Sequence, residues 1–123
     1  DENLAVSATC VRVPVEISHS ESVQIEFETS VGINDAKRVL GDYPGVMVVD
    51  EPSRNEYPMP LSAAGIDDVL VGRIRKDIAH ENGIALWLSC DNLRKGAALN
   101  ALQIMDEALR RNALKPAAER MTT

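Results

Sequence analysis

Residues 21–29 read ESVQIEFET. Val23, Ile25 and Phe27 alternate with Ser22, Gln24, Glu26 and Glu28. Successive side chains of a strand point to opposite faces, so this run predicts a β-strand with one apolar and one wet face. A few residues on, the period changes. Ala36, Val39 and Leu40 recur at helical spacing within 34–40. Asn34 or Asp35 suits the start of that helix, and Gly41 with Pro44-Gly45 suits its end. With the elements read on either side, five strands and two helices segregated rather than strictly alternating, the pattern points to an α+β two-layer domain.

The flanking sequence extends this pattern. Upstream, residues 5–15 read AVSATCVRVPV, with Thr9, Val11, Val13 and Val15 on one face and Cys10 and Arg12 on the other. They predict a strand ending near Pro14, because proline cannot donate to a ladder. A short polar link, Glu16 to Ser20, carries His19. Downstream, GVMVVDEP at 45–52 predicts a short strand closed by Pro52, and 53–65, with Pro58, Pro60 and Gly65, predicts loop. Segments 69–77 and 83–91 predict two more strands joined through AHEN. Asp91 suits the N-cap of a last helix. Leu93, Gly96, Ala97, Asn100, Ile104 and Ala108 form its narrow stripe, widened by Leu99, Leu102, Met105 and Leu109. The expected architecture is a two-layer α+β sandwich: a mostly antiparallel sheet of about five strands with helices on one face. Residues 1–112 form the domain and 113–123 a flexible tail with little to bury.

Composition narrows the function. The chain has 123 residues, enough for one core, and 45% of them are hydrophobic. Thirteen Lys+Arg against 19 Asp+Glu give a formal net charge of -6, which excludes a basic nucleic-acid footprint. One Trp, two Tyr and one Phe are too few for base-stacking platforms. No apolar run approaches the roughly 20 residues of a membrane span, and no secretory signal opens the sequence. The first residue is Asp1 rather than Met, as expected of a piece of a longer protein. Cys10 and Cys90 make no CxxC or zinc pattern and read as two small buried thiols in a reducing cytosol. His19 and His80 lack neighbouring ligands, so no metal site is expected.

Two clusters carry the candidate chemistry. The first is Cys10, Arg12 and His19. An arginine on an inner strand face needs an anion, and its guanidinium can hold a carboxylate bidentately. His19 has the chemistry for proton transfer near neutral pH. The plain alternative is an Arg12 paired with a nearby glutamate and a surface His19. The second cluster is DNLRKGAALN at 91–100, a helix start with two cations. The plain alternative there is a capped helix with Arg94 and Lys95 solvated. No GxxxxGK[ST] or GxGxxG loop occurs in the chain.

Three blocks together resemble a known family. CVRVPV at 10–15 with His19 and SESV at 20–23, YPMPLSAAGIDDVLVGRIRKD at 57–77, and DNLRKGAALNALQI at 91–104 lie in the order found in the carboxyl-terminal half of the aspartate-semialdehyde dehydrogenases. The chain departs from the family pattern at Ser18, where glycine is expected before the histidine. The resemblance implies the carboxyl-terminal fold of the wider glyceraldehyde-3-phosphate-dehydrogenase-like group. It also implies NADPH-dependent reductive dephosphorylation of L-aspartyl 4-phosphate to L-aspartate 4-semialdehyde, feeding lysine, methionine, threonine and isoleucine synthesis in the cytoplasm. In it Arg12 corresponds to the clamp on the substrate carboxylate, His19 to the acid/base, and Asn92 to a contact with the nicotinamide end of NADP. A homodimer or dimer of dimers through this domain is implied as well. The family's nucleophile lies in a Ser-Asn-Cys motif, which neither Thr9-Cys10-Val11 nor Ser89-Cys90-Asp91 matches. The chain is therefore expected to be inactive alone. The alternatives are a non-catalytic oligomerisation module of the same descent, or the matching domain of an N-acetyl-glutamyl-phosphate reductase-like enzyme.

Overall fold

The computed structural model describes residues 3–113. Its centre is a four-stranded sheet in the order β1-β4-β3-β2. The strands are β1 (His19–Glu26), β2 (Val46–Val48), β3 (Val69–Lys76) and β4 (Gly83–Cys90). β4 runs antiparallel to both β1 and β3, while β2 and β3 are parallel. The helices are α1 (Ile33–Gly41), α2 (Pro60–Ala63) and α3 (Leu99–Arg110). The α+β class and the mostly antiparallel sheet hold.

The alternating run that predicts a strand over 21–29 forms β1, shifted toward the amino terminus. Val23 and Ile25 pair with Leu86 and Ile84, and the ladder continues back to His19 opposite Cys90. Of this face, Val23 packs on Val71, Ile74, Ile84 and Leu86, the buried core, while Ile25 and Phe27 stay exposed toward the far end of the strand. α1 closes it: Ile33, Ala36 and Leu40, spaced to share one helical face, pack on the cluster. α1 begins at Ile33 after Gly32, one residue ahead of Asn34 and two ahead of Asp35. Tyr43 to Gly45, with Gly45 at φ 81°, turns the chain into β2.

Four strands replace the expected five, because residues 5–15 form no strand. Val6 and Val11 are each 80% exposed, and Cys10 and Arg12 are exposed as well. Alternation records which side chains could share a face; it does not supply a neighbouring ladder, and β1 takes the β4 edge. The expected long last helix is also shortened. Asp91 caps only a turn, and Lys95, Gly96 (φ 89°) and Ala97 then leave helical geometry before α3 starts at Leu99. α3 packs against that turn rather than lying on the sheet, and Leu102, Ile104 and Leu109 stay more than half exposed. A 3₁₀ turn at Pro52–Arg54 overlaps the start of the expected 53–65 loop, and α2 lies within it, opening on Pro60 in the first-turn position proline favours. Of the tail expected at 113–123, residues 114–123 lie outside the described residues.

A bulge interrupts β3 between Gly72 and Arg75, with Arg73 at φ 53°. The Asp50 carboxylate accepts from the Arg73 and Ile74 N–H groups at 2.8 and 3.2 Å and pairs with Lys37 Nζ of α1 at 2.7 Å. Gly72 is required there: a Cβ would lie 2.1 Å from the Val49 carbonyl oxygen and 2.6 Å from the Pro58 ring. That close approach brings segment 57–65 onto the sheet, where the Trp87 indole N–H donates to the Pro58 carbonyl at 3.1 Å. Among the described residues, no helix is long and apolar enough to cross a membrane.

Candidate active site

The first residue of β1 and the residues just after β4 meet at one end of the sheet. His19 pairs with Cys90 across the ladder, and the hydroxyls of Ser20 and Ser89 lie 2.7 Å apart. Ser18, just before the strand, is buried and holds φ 93°. Its N–H donates to Asn92 Oδ1 at 2.7 Å and its hydroxyl donates to the Pro60 carbonyl at 2.9 Å. A left-handed backbone at this position accounts for the glycine that the sequence pattern expects there: without a Cβ that conformation is unstrained. Ser18 keeps it through two hydrogen bonds that reach 74 and 42 residues along the chain.

Asp91 completes the enclosure. It is 4% exposed. One carboxylate oxygen accepts from Gly65 N–H at 2.7 Å and the other from Leu93 N–H at 2.9 Å. Its carbonyl accepts from the Arg94 and Lys95 N–H groups at 3.2 and 2.8 Å, closing the turn. The Gly65 hydrogen bond, opposed by burial and aided by the Leu93 and Arg94 N–H groups, holds its carboxyl below the usual carboxylate range. Asp91 therefore stays ionised near neutral pH.

The amide of Asn92 has its orientation set by chemistry. Ser18 N–H is a donor, so the oxygen must face it, and the NH₂ group retains two donors for a ligand. His19 is exposed at the strand's start rather than in a loop. Burial, then the charges of Glu21 and Asp91, push the Cys90 thiol up, against a smaller opposing hydrogen bond from the His19 backbone. A protonated thiol is a poor nucleophile, so Cys90 keeps the packing role expected of it, half-buried. Cys10 does not, because it is exposed.

The Ser18 bond places Asn92 beside the start of the strand that carries His19, and no hydrogen bond or ion pair among the described residues joins Arg12 to either. Arg12 is exposed on segment 3–18, not on an inner strand face, and it forms no ion pair with any described residue. The cations of the second cluster are engaged: Arg94 pairs with Asp67, and Lys95 donates to Gln103 at 2.7 Å. The described residues contain no group of three or more His, Cys, Asp or Glu side chains able to hold a metal. Of the cofactor-binding chemistry expected from the family, the free donors of Asn92 fit a carboxamide oxygen. Sequence reasoning missed Ser18, Pro60, Gly65 and the buried bonding of Asp91. The one legible signal was the unexpected serine before His19.

The family model for the semialdehyde dehydrogenase dimerisation domain matches residues 1–95. The aspartate-semialdehyde dehydrogenase of Aquifex aeolicus is 55% identical over 106 residues, which are 86% of this chain and 31% of that protein. The corresponding enzyme of Synechocystis is 53% identical over 105 residues, again 31% of its length. The chain therefore spans about a third of these curated relatives. Among solved structures, aspartate semialdehyde dehydrogenase II of Vibrio cholerae, complexed with ASA, superimposes with a TM-score of 0.75 at 41% identity, covering 83% of this chain and 30% of that one. With the sequence blocks, the fold and the family match all in agreement, the chain belongs to the semialdehyde dehydrogenase family as its dimerisation domain.

Proposed function

We propose that this chain is the dimerisation and substrate-side domain of an aspartate-semialdehyde dehydrogenase. The whole enzyme makes L-aspartate 4-semialdehyde from L-aspartyl 4-phosphate with NADPH, in the cytoplasm, and assembles as a homodimer or dimer of dimers through this domain. The observation that carries the reading is the Ser18–Asn92 hydrogen bond, which ties the two most distinctive sequence blocks together beside His19.

In this reading His19 is the general acid/base. Its side chain is exposed at the end of a strand, so it can reach a substrate while its backbone stays in the ladder. Arg12 is the carboxylate clamp. Its guanidinium is not committed to an ion pair with a described residue, so a bidentate contact with substrate displaces no internal partner. Asn92 orients the nicotinamide end of the cofactor through its free amide donors. Bound NADPH supplies the hydride. The attacking thiolate comes from outside this chain, since Cys90 remains protonated and neither cysteine lies in the family's nucleophile motif.

The test compares this chain alone with the intact enzyme, following phosphate-dependent reduction of NADP by aspartate semialdehyde. The intact enzyme should turn over and the isolated chain should read background. Turnover by the isolated chain that disappears on changing Cys10 or Cys90 overturns the proposal.

A further inference from the structure

We propose that Asp91 is a positioning residue: it holds Asn92, and through Ser18 the start of the His19 strand, in a closed ring of hydrogen bonds braced by α2. The inference rests on the reading of Asn92 as a cofactor contact and adds the group that aims it. The ring runs through three distant segments. Asp91 binds Gly65 N–H at the end of the α2 turn, Pro60 at its start accepts the Ser18 hydroxyl, and Ser18 N–H returns to Asn92, the neighbour of Asp91. α2 is anchored between these contacts by Ala63, which is fully buried. Asp91 also binds Leu93 N–H, so the turn that carries Asn92 is fixed on both sides of that residue. An ionised acceptor makes stronger bonds to N–H groups than a neutral one. A short rigid turn with a half-buried amide is the kind of support on which a ligand-facing group depends for its angle.

The experiment uses the intact enzyme with Asp91→Asn, Asn92→Ala and the double variant. Misplacing a reacting pair by about 1 Å can cost on the order of 100-fold in rate, so Asp91→Asn should lower kcat about 10- to 100-fold. If Asp91 acts through Asn92, the same change in the Asn92→Ala background should cost less than about 2-fold, since coupled residues are non-additive. A second readout needs no cofactor: hydrogen exchange of the segment containing Ser18 should speed up about 10-fold or more in Asp91→Asn, as the Ser18 N–H loses its fixed acceptor. Asp91→Ser keeps an oxygen for Leu93 N–H and releases Gly65, and it carries the test if Asp91→Asn does not fold. Additive losses, unchanged Ser18 exchange, or failure of both Asp91 variants to fold overturn the positioning role in favour of a purely structural one. An Asn92→Ala enzyme with unchanged kinetics toward NADP overturns instead the cofactor reading beneath it.

Discussion

Ser18 donates its backbone N–H to Asn92 Oδ1 at 2.7 Å while holding φ at 93°. The residue that departs from the family pattern is thus the one that joins β1 to the turn after β4. A serine in that conformation carries strain that glycine would not, offset by its bond to the Pro60 carbonyl. Ser18→Gly removes a hydrogen bond worth roughly 0.5–1.5 kcal/mol and relieves strain of about 1 kcal/mol, so its stability should stay near that of the parent. Ser18→Ala loses the bond and keeps the strain. Thermal denaturation should therefore place Ser18→Ala about 1 kcal/mol below Ser18→Gly. Equal stabilities would rule out the left-handed geometry at this position.

The Asp50 carboxylate gives a second prediction, for the bulge. Its side chain is 3% exposed, takes two N–H groups of the bulge, and meets Lys37, whose side chain is 32% exposed. Asp50→Asn leaves a single oxygen acceptor and no ion pair. Lys37, being partly hydrated, is not stranded as a buried charge, so the cost should be about 1–3 kcal/mol rather than the 3–5 of a fully buried broken pair. Lys37→Met, which spares both N–H bonds, should cost less in urea unfolding. The opposite order would show that the ion pair, not the bulge, is the main contribution of Asp50.

These two sites mark what the sequence reveals and what it does not. Alternation located β1, and apolar runs with turn residues located β2, β3 and β4, because those patterns reflect one face per strand. The same alternation misread 5–15, where Val11 and Val13 have no neighbouring strand. Helical spacing found α3 but not the break before it, since Gly96 alone does not reveal that Lys95 and Ala97 also leave helical angles. The positions of His19 at a strand's start and of Asn92 in the turn after β4 follow from blocks that the sequence singles out. The Asp91, Ser18 and Pro60 contacts do not, because each depends on a partner at least 26 residues away.

Acid should loosen the site through Asp91. Its folded-state pKa lies below its ordinary value of 3.8, chiefly through the Gly65 N–H bond. The stabilisation is therefore complete above about pH 4 and is lost as pH falls through the lower folded value. Glu107, held to about 2 by hydrogen bonds from Arg110 and then Arg111, titrates with the same sign but on an exposed helix. Its contribution should be screened by salt, whereas that of Asp91, bonded mainly to backbone N–H groups, should not. Melting temperature followed from pH 5 to pH 2 should fall less steeply in Asp91→Asn at high and low salt alike. A slope unchanged by that substitution would remove Asp91 from the acid response.

His19→Ala in the intact enzyme should lower kcat with little change in the KM of either substrate. Proton transfer counts only in the transition state, and a general acid/base typically contributes about 10²–10⁴-fold. Because the His19 backbone pairs with Cys90 independently of its side chain, the melting temperature should hold. A variant with parental kcat would make His19 a surface residue.

Arg12 lies on a segment that is not held in the sheet. A guanidinium in an exposed segment gains little from intrachain ion pairing, where surface pairs are worth about 0–1 kcal/mol. Its use must then lie in what it binds. Two parallel N–H bonds to a carboxylate are stronger and more directional than the point contact of an ammonium. Arg12→Lys in the intact enzyme keeps the charge and loses the fork, so the KM for the amino-acid substrate should rise about 10-fold or more, a loss of one charge-assisted bond at roughly 1.5–3 kcal/mol. The KM for NADP should stay within about 2-fold, because uniform binding lost at one substrate leaves the other untouched. The melting temperature should not move, since no described residue depends on the Arg12 side chain. A parallel rise in both constants, or a drop in melting temperature with them, would make Arg12 a structural residue and leave the substrate carboxylate to another cation.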